Sequence, residues 1–239
     1  MRIGCAGWNV PKQDMAAFSA AGSHLHRYAQ RFNAVEINSS FYRPHRRTTY
    51  ERWAATVPDE FAFAVKLPKQ ITHELSLAAA EAALDIFLDQ VKGLDAKLGP
   101  LLVQLPPSLA LDAAVAHSFF AALRARHAGS VVCEPRHATW FTAAADALLA
   151  GFQIARAAAD PPVGAAPFAP GGWQGLHYYR LHGAPHIYYS EYDAAFLQRL
   201  AQTLSDRSGA CWCIFDNTAR GAATTNAMSL QRLFARLQT

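Results

Sequence analysis

The sequence predicts an α/β chain of the TIM type, a parallel (β/α)8 barrel, and three observations lead there. Eight short apolar or β-rich segments recur along the 239 residues. Helix-like stretches separate most of them, at about 30 residues per strand-helix unit, close to a barrel of about 250 residues. Polar residues cluster at the carboxyl-terminal ends of the strands, where a barrel gathers them on one rim. The chain shows no clear linker, so 1–239 reads as a single domain.

Strands are expected at 2–5, 34–37, 61–66, 101–105, 131–134, 153–157, 177–182 and 211–215. Helices are expected at 22–32, 47–55, 79–94, 112–126, 141–150, 192–204 and 225–237. Arg46 and Arg47 read as solvent-facing charges at a helix start. In the third unit Leu84, Phe87, Leu88 and Val91 recur at helical spacing, and Gly99-Pro100 breaks the chain before Leu101. Pro106-Pro107-Ser108 stops the fourth strand, because proline offers no amide hydrogen to a ladder. Asp112 caps the next helix, whose Ala116, Phe119, Phe120 and Leu123 form an apolar face, and Gly129 closes it. From Pro161-Pro162 to Gly171-Gly172 there are too many breakers for a helix, so the sixth crossover helix is expected to be reduced or replaced by loop.

Composition narrows the class. With 51% apolar and 17% charged residues, and 14 glycines and 13 prolines dispersed, the chain is not disordered, collagenous or a disulfide miniprotein. A net charge of +4 without a basic tail does not favour nucleic acid as a partner. Cys5, Cys133, Cys211 and Cys213 lie in apolar stretches, which predicts buried reduced thiols and a reducing compartment. No apolar run approaches the roughly 20 residues that span a bilayer, and Met1-Arg2-Ile3-Gly4 carries no export signal. A soluble, cytoplasmic protein with no membrane partner is the expectation.

The rim carries the chemistry. Glu36 and Asn38 follow the second strand, Lys66 and Gln104 end the third and fourth, and Glu134, Arg136 and His137 follow the fifth. Arg180 and His182 end the seventh, and Asp216 and Asn217 the eighth. Strand period puts Glu36 with Asn38, Glu134 with Arg136, and Arg180 with His182 on shared faces. Glu134, with Glu36 next, is the expected acid or base, and His182 can exchange a proton near neutral pH. Lys66 can steer an anion, or act as a base if burial lowers its pKa. Arg136 and Arg180 suit phosphate or carboxylate, with a salt bridge to Glu36 or Glu134 as the alternative. Asn38, Gln104, His137 and Asn217 are expected to bind the ligand, and Trp8 and Tyr42 to wall it.

Longer segments resemble the YecE-like family, domain of unknown function 72. The resemblance rests on 32–42 (Phe-Asn-Ala-Val-Glu-Ile-Asn-Ser-Ser-Phe-Tyr), on 61–66, on 98–108, and on Glu134-Pro135-Arg136-His137 with Trp140-Phe141. It continues through Tyr179-Arg180-Leu181-His182-Gly183 and from Phe215-Asp216-Asn217 to Asn226-Ala227. It implies a barrel, and it marks Glu36, Asn38, Tyr42, Lys66, Gln104, Glu134, Arg136, His137, Arg180, His182 and Asn217 as matches to the family's rim residues. Asp216 stands where that family often has asparagine, and Ala138 where it commonly has proline.

The resulting expectation is a small-molecule protein that binds or converts an anionic or polyhydroxylated compound by acid-base chemistry. A metal-dependent hydrolase using Glu36, Glu134, Asp160 and His182 is one alternative. Lys66, Arg136 and Arg180 count against it, and no His-Glu-x-x-His or paired-cysteine motif occurs, so no metal site is predicted. A noncatalytic ligand-binding or scaffold protein is the other. The glycine fingerprints for dinucleotides and for ATP are missing, so no cofactor is expected, and no Gly-x-Ser-x-Gly elbow activates Ser39 or Ser40.

Overall fold

The computed structural model describes residues 1–237. Its strands are β1 (Arg2–Cys5), β2 (Ala34–Ile37), β3 (Ala62–Lys66), β4 (Leu98–Gln104), β5 (Val131–Glu134), β6 (Ala155–Arg156), β7 (Ala158–Asp160), β8 (Gly171–Gly172), β9 (Leu176–Leu181) and β10 (Ala210–Phe215). The α-helices are α1 (His24–Ala29), α2 (Ser39–Tyr42), α3 (Arg47–Thr56), α4 (Glu81–Val91), α5 (Ala113–Arg126), α6 (Ala143–Gly151), α7 (Ala194–Ser205) and α8 (Ala222–Leu237). One sheet runs β1-β10-β9-β7 and the other β2-β3-β4-β5-β6-β8, all parallel except β8.

Two seams join these sheets into the ring of a TIM-type barrel. At the first, Ala6 bridges Glu36, and the Gly7 amide donates to the Glu36 carbonyl at 2.9 Å. Side chains supply the rest of the ladder. The Ile3 amide donates to Asn33 Oδ1 at 3.2 Å, and the Cys5 amide to the Tyr28 hydroxyl at 2.8 Å. That hydroxyl in turn donates to the Ala34 carbonyl at 3.0 Å. Gly4 lies at the closest approach, where a Cβ would stand 2.1 Å from the Ala34 oxygen. Tyr28→Phe leaves the buried Cys5 amide without an acceptor and is expected to cost about 1–3 kcal/mol. Urea unfolding checks this: the midpoint should fall at constant slope, and an unmoved midpoint would show that the seam does not depend on this hydroxyl.

At the second seam the sixth strand is split. β6 pairs with β5, the Ala157 amide donates to the Cys133 carbonyl at 2.8 Å, and β7 pairs with β9. No helix follows β7 before β9, as the breakers predict. The chain instead folds back antiparallel on β6 through β8, and Phe168 packs with its ring centroid 5.7 Å from Tyr179 and 6.2 Å from Phe196.

Strand alternation separates two apolar sets. Val35, Phe63, Val103 and Cys133 face the helices, while Ala34, Ala62, Ala64, Ala155 and Ala157 face the barrel interior. These small interior residues leave room for Tyr178 and Trp212, which stack at 6.1 Å with a 15° interplanar angle. Gly99 belongs to the same arrangement, since a Cβ there would lie 2.7 Å from the Trp212 ring. This corrects the expectation that Gly99-Pro100 ends before the strand: β4 starts at Leu98, and the pair sits in a bulge, where proline's missing donor is tolerated.

Other elements depart modestly from expectation. The 79–94 helix resolves into α4 followed by a 3-10 turn at Lys92–Lys97. The short α2, a 3-10 segment at Lys12–Ala17 and a π turn at Gln70–Glu74 were not foreseen. Asp112 caps α5 as predicted, its carboxylate accepting from the Ala114 and Val115 amides. All four cysteines are free and buried. Among the described residues, no helix is long and apolar enough to cross a membrane.

Candidate functional site

Interior parity continues past the apolar layer. Glu36 comes two residues after Ala34, Lys66 after Ala64, Gln104 after Leu102, Glu134 after Val132, Arg180 after Tyr178 and Asp216 after Ile214. The residues that plug the barrel therefore hand over to charged groups at its carboxyl-terminal end.

Arg180 is the hub, 1% exposed. Its Nε and Nη2 donate to Glu36 at 2.7–3.1 Å, its Nη1 to Glu134 Oε2 at 3.1 Å, and its Nη2 also lies 3.0 Å from Asp216 Oδ2. Tyr178 adds a 2.8 Å bond from its hydroxyl to Glu36 Oε2. Burial disfavours the guanidinium charge, but Asp216, Glu36 and Glu134 outweigh it and hold the Arg180 pKa well above its ordinary value. These donors are spent on the protein, so Arg180 organises the site.

His182 is clamped on both sides. Its Nδ1 lies 3.0 Å from Asp216 Oδ2 and its Nε2 3.1 Å from Glu134 Oε1. Burial works against an imidazolium, yet Glu134 and the two carboxylate bonds win, and the pKa is raised. Burial likewise opposes the Glu134 and Asp216 charges, and Arg180 and His182 overcome it, holding both carboxyls below the usual range. Tyr188 covers the ring edge-on at 5.9 Å.

Lys66 differs. Its Nζ lies 4.0 Å above the Phe41 ring, and among the described residues no hydrogen-bond acceptor or salt-bridge partner reaches it. The residue is 8% exposed, and burial with the Arg180 charge lowers its pKa to about 8, against the opposing pull of Glu36, Glu134 and Asp216. Arg136 also keeps a donor in reserve: its Nη1 is buried without a hydrogen bond, 3.6 Å from Glu134 Oε1.

The structure thus brings together Glu36, Asn38, Lys66, Glu134, Arg136, Arg180 and His182. Asn38 donates to Asp216 Oδ1 at 3.3 Å and also lines, with Trp8, Asn9 and Ser39, a cleft of about 530 Å³. The remaining expected ligand residues are engaged elsewhere or lie off the network. Gln104 turns back to the Leu105 carbonyl at 2.6 Å, and His137 caps the turn at Thr139. Asn217 ties the Ser190 carbonyl to Asn226, and Tyr42 is 80% exposed beside a separate groove containing Lys69. Asp160 accepts from the Tyr192 hydroxyl at 2.8 Å. Among the described residues, no group of three or more His, Cys, Asp or Glu is arranged to hold a metal ion.

Two network members were not selected from the sequence as site residues. Tyr178 shares the face of Arg180 and His182 by strand period, a signal that was available. Asp216 is placed on the rim by the sequence but given no role there, although its carboxylate supplies the charge that both Arg180 and His182 need.

Comparison with known proteins gives the fold several counterparts. A DUF72 family protein of Thermotoga maritima superimposes with a TM-score of 0.83 at 20% identity, covering 98% of both chains. One from Enterococcus faecalis V583 gives 0.83 at 19% identity, over 98% of this chain and 95% of that one. L-ribulose 3-epimerase shares the architecture more loosely, at 0.54 and 15% identity over 99% and 97%. In sequence, UPF0759 protein YecE of Escherichia coli K12 is 30% identical over 104 residues, spanning 44% of this chain and 37% of that protein. The family model described as "Protein of unknown function DUF72" matches residues 2–239, and the chain belongs to that family.

Proposed function

We propose that the carboxyl-terminal rim binds an anionic or polyhydroxylated small molecule and exchanges a proton with it. The carrying observation is the unpaired Lys66 amine, together with an Arg136 Nη1 that faces Glu134 at 3.6 Å without a hydrogen bond, beside a network in which the other charges are already matched. A buried donor without a partner costs free energy, and an incoming carboxylate or phosphate would satisfy it. Hydroxyls of the same ligand would meet Asn38 along the Trp8 cleft.

The clamped geometry redistributes the expected roles. Glu134 is ionised too firmly to be a good base, and both nitrogens of His182 face carboxylates. These two and Glu36 fix the field around the ligand. Lys66, with its pKa near the working range, carries the proton. Calorimetric titration with sugar phosphates and sugar acids tests the reading. Arg136→Met and Lys66→Met should each weaken binding about 10- to 100-fold. Deuterium from heavy water should enter the bound ligand with the wild type and fail to enter with Lys66→Met. Unchanged affinity in both variants, or deuterium entry that persists in Lys66→Met, would overturn it.

A further inference from the structure

We infer that Lys66 is a carbonyl-directed nucleophile, so that the molecule taken by this rim is an aldehyde or ketone that also bears a carboxylate or phosphate. The inference rests on the binding reading above and extends it to covalent chemistry.

Three features separate Lys66 from a plain anion anchor. First, Glu36, Glu134 and Asp216 all surround the same barrel end, yet each gives its close contacts to Arg180, His182, Tyr178 or Asn38, and none is within salt-bridge distance of Lys66. Second, the amine rests on the Phe41 ring at 4.0 Å, a cation–π contact that favours the charged form but supplies no hydrogen bond, so the lone pair, once deprotonated, has no competing bond. Third, Arg136 is ion-paired with Glu134 at 3.6 Å but its Nη1 makes no hydrogen bond, which leaves a donor for the anionic group of the same ligand. A lysine desolvated beside another cation is activated in this way. Relative to the ordinary value of 10.5, a pKa of about 8 makes the neutral amine about 300-fold more abundant at pH 7.

The step balances without a cofactor. The neutral Nζ lone pair adds to the carbonyl carbon, the carbonyl π electrons move to oxygen, and a proton passes from nitrogen to that oxygen to give a carbinolamine. Uptake of one further proton from solvent lets the hydroxyl leave as water, and the nitrogen lone pair forms the carbon-nitrogen double bond of the iminium. Amine, carbonyl and one proton become iminium and water, with no net oxidation or reduction.

The test uses dihydroxyacetone phosphate and pyruvate with sodium cyanoborohydride at pH 7, read by intact mass and peptide mapping. The chain has five lysines, Lys12, Lys66, Lys69, Lys92 and Lys97, and peptide mapping separates each of them from the others and from the α-amino group. Label concentrated on Lys66, and its loss in Lys66→Arg, which keeps the charge and removes the nucleophile, is the expected result. In a parallel arm the same probes are added without reductant and the melting temperature is followed. A ligand-dependent rise with no label on Lys66 would overturn the covalent role and leave the binding reading standing. Neither rise nor label would overturn both, and label spread equally over the other four lysines would overturn the nucleophile assignment.

Discussion

Arg180→Met is expected to destabilise the protein by about 3–5 kcal/mol, because it strips the main counter-charge from three buried carboxylates. Glu36, Glu134 and Asp216 are 0%, 1% and 6% exposed, so water cannot replace the guanidinium. In a chain of this size the loss corresponds to a fall in melting temperature on the order of 10 °C. The pH dependence has a definite sign. Glu134 and Asp216 have depressed pKa values in the folded protein, so the stability they contribute is present above their unfolded values and is lost as pH falls. Without Arg180 they take up protons at milder acidity. The gap between wild type and variant should therefore be widest near pH 7 and narrower near pH 4. Urea titrations at both values decide the matter; a gap that is small at pH 7 or constant with pH would mean that Arg180 is not the hub.

Lys66→Met should have the opposite effect and stabilise the protein. A folded pKa of about 8 against 10.5 unfolded means that the folded state resists protonating this amine. Below pH 8 the charged lysine costs up to about 3 kcal/mol, and the cost is relieved as pH rises towards the unfolded value. The stability gain in the variant should be full at pH 7, shrink from pH 8 upward and vanish near pH 10.5. Melting curves across that range test it. A destabilised variant, or a gain that persists undiminished at pH 10.5, would contradict the placement of this amine. A residue that lowers stability where it stands is retained for activity more readily than for folding.

Much of the architecture was legible because interior parallel strands are short apolar runs bounded by strong punctuation. The 34–37 and 131–134 segments match β2 and β5 residue for residue, and Asp112 marks the start of α5. The start of β4 was not legible, since the reason for Gly99 is the Trp212 ring, which arrives from a strand more than a hundred residues later. Nor was the split of the sixth strand at Ala157, which depends on pairing with two different neighbours. At the rim, residue types and shared faces could be read from period alone. Which carboxylate pairs with Arg180 could not, and three do so at once. That the two nitrogens of His182 are both taken, leaving Lys66 unpaired, is a consequence of three-dimensional packing.

The helix-free sixth crossover has a practical corollary. A bridging helix constrains its own length and register, because it must span two strands while presenting an apolar stripe to them. The segment from Pro161 to Pro170 carries no such obligation: it is moored by Phe168 and by the glycines of β8. Insertions there are expected to leave the ring and its charged end intact. It is a preferred point for grafting a reporter or an affinity tag.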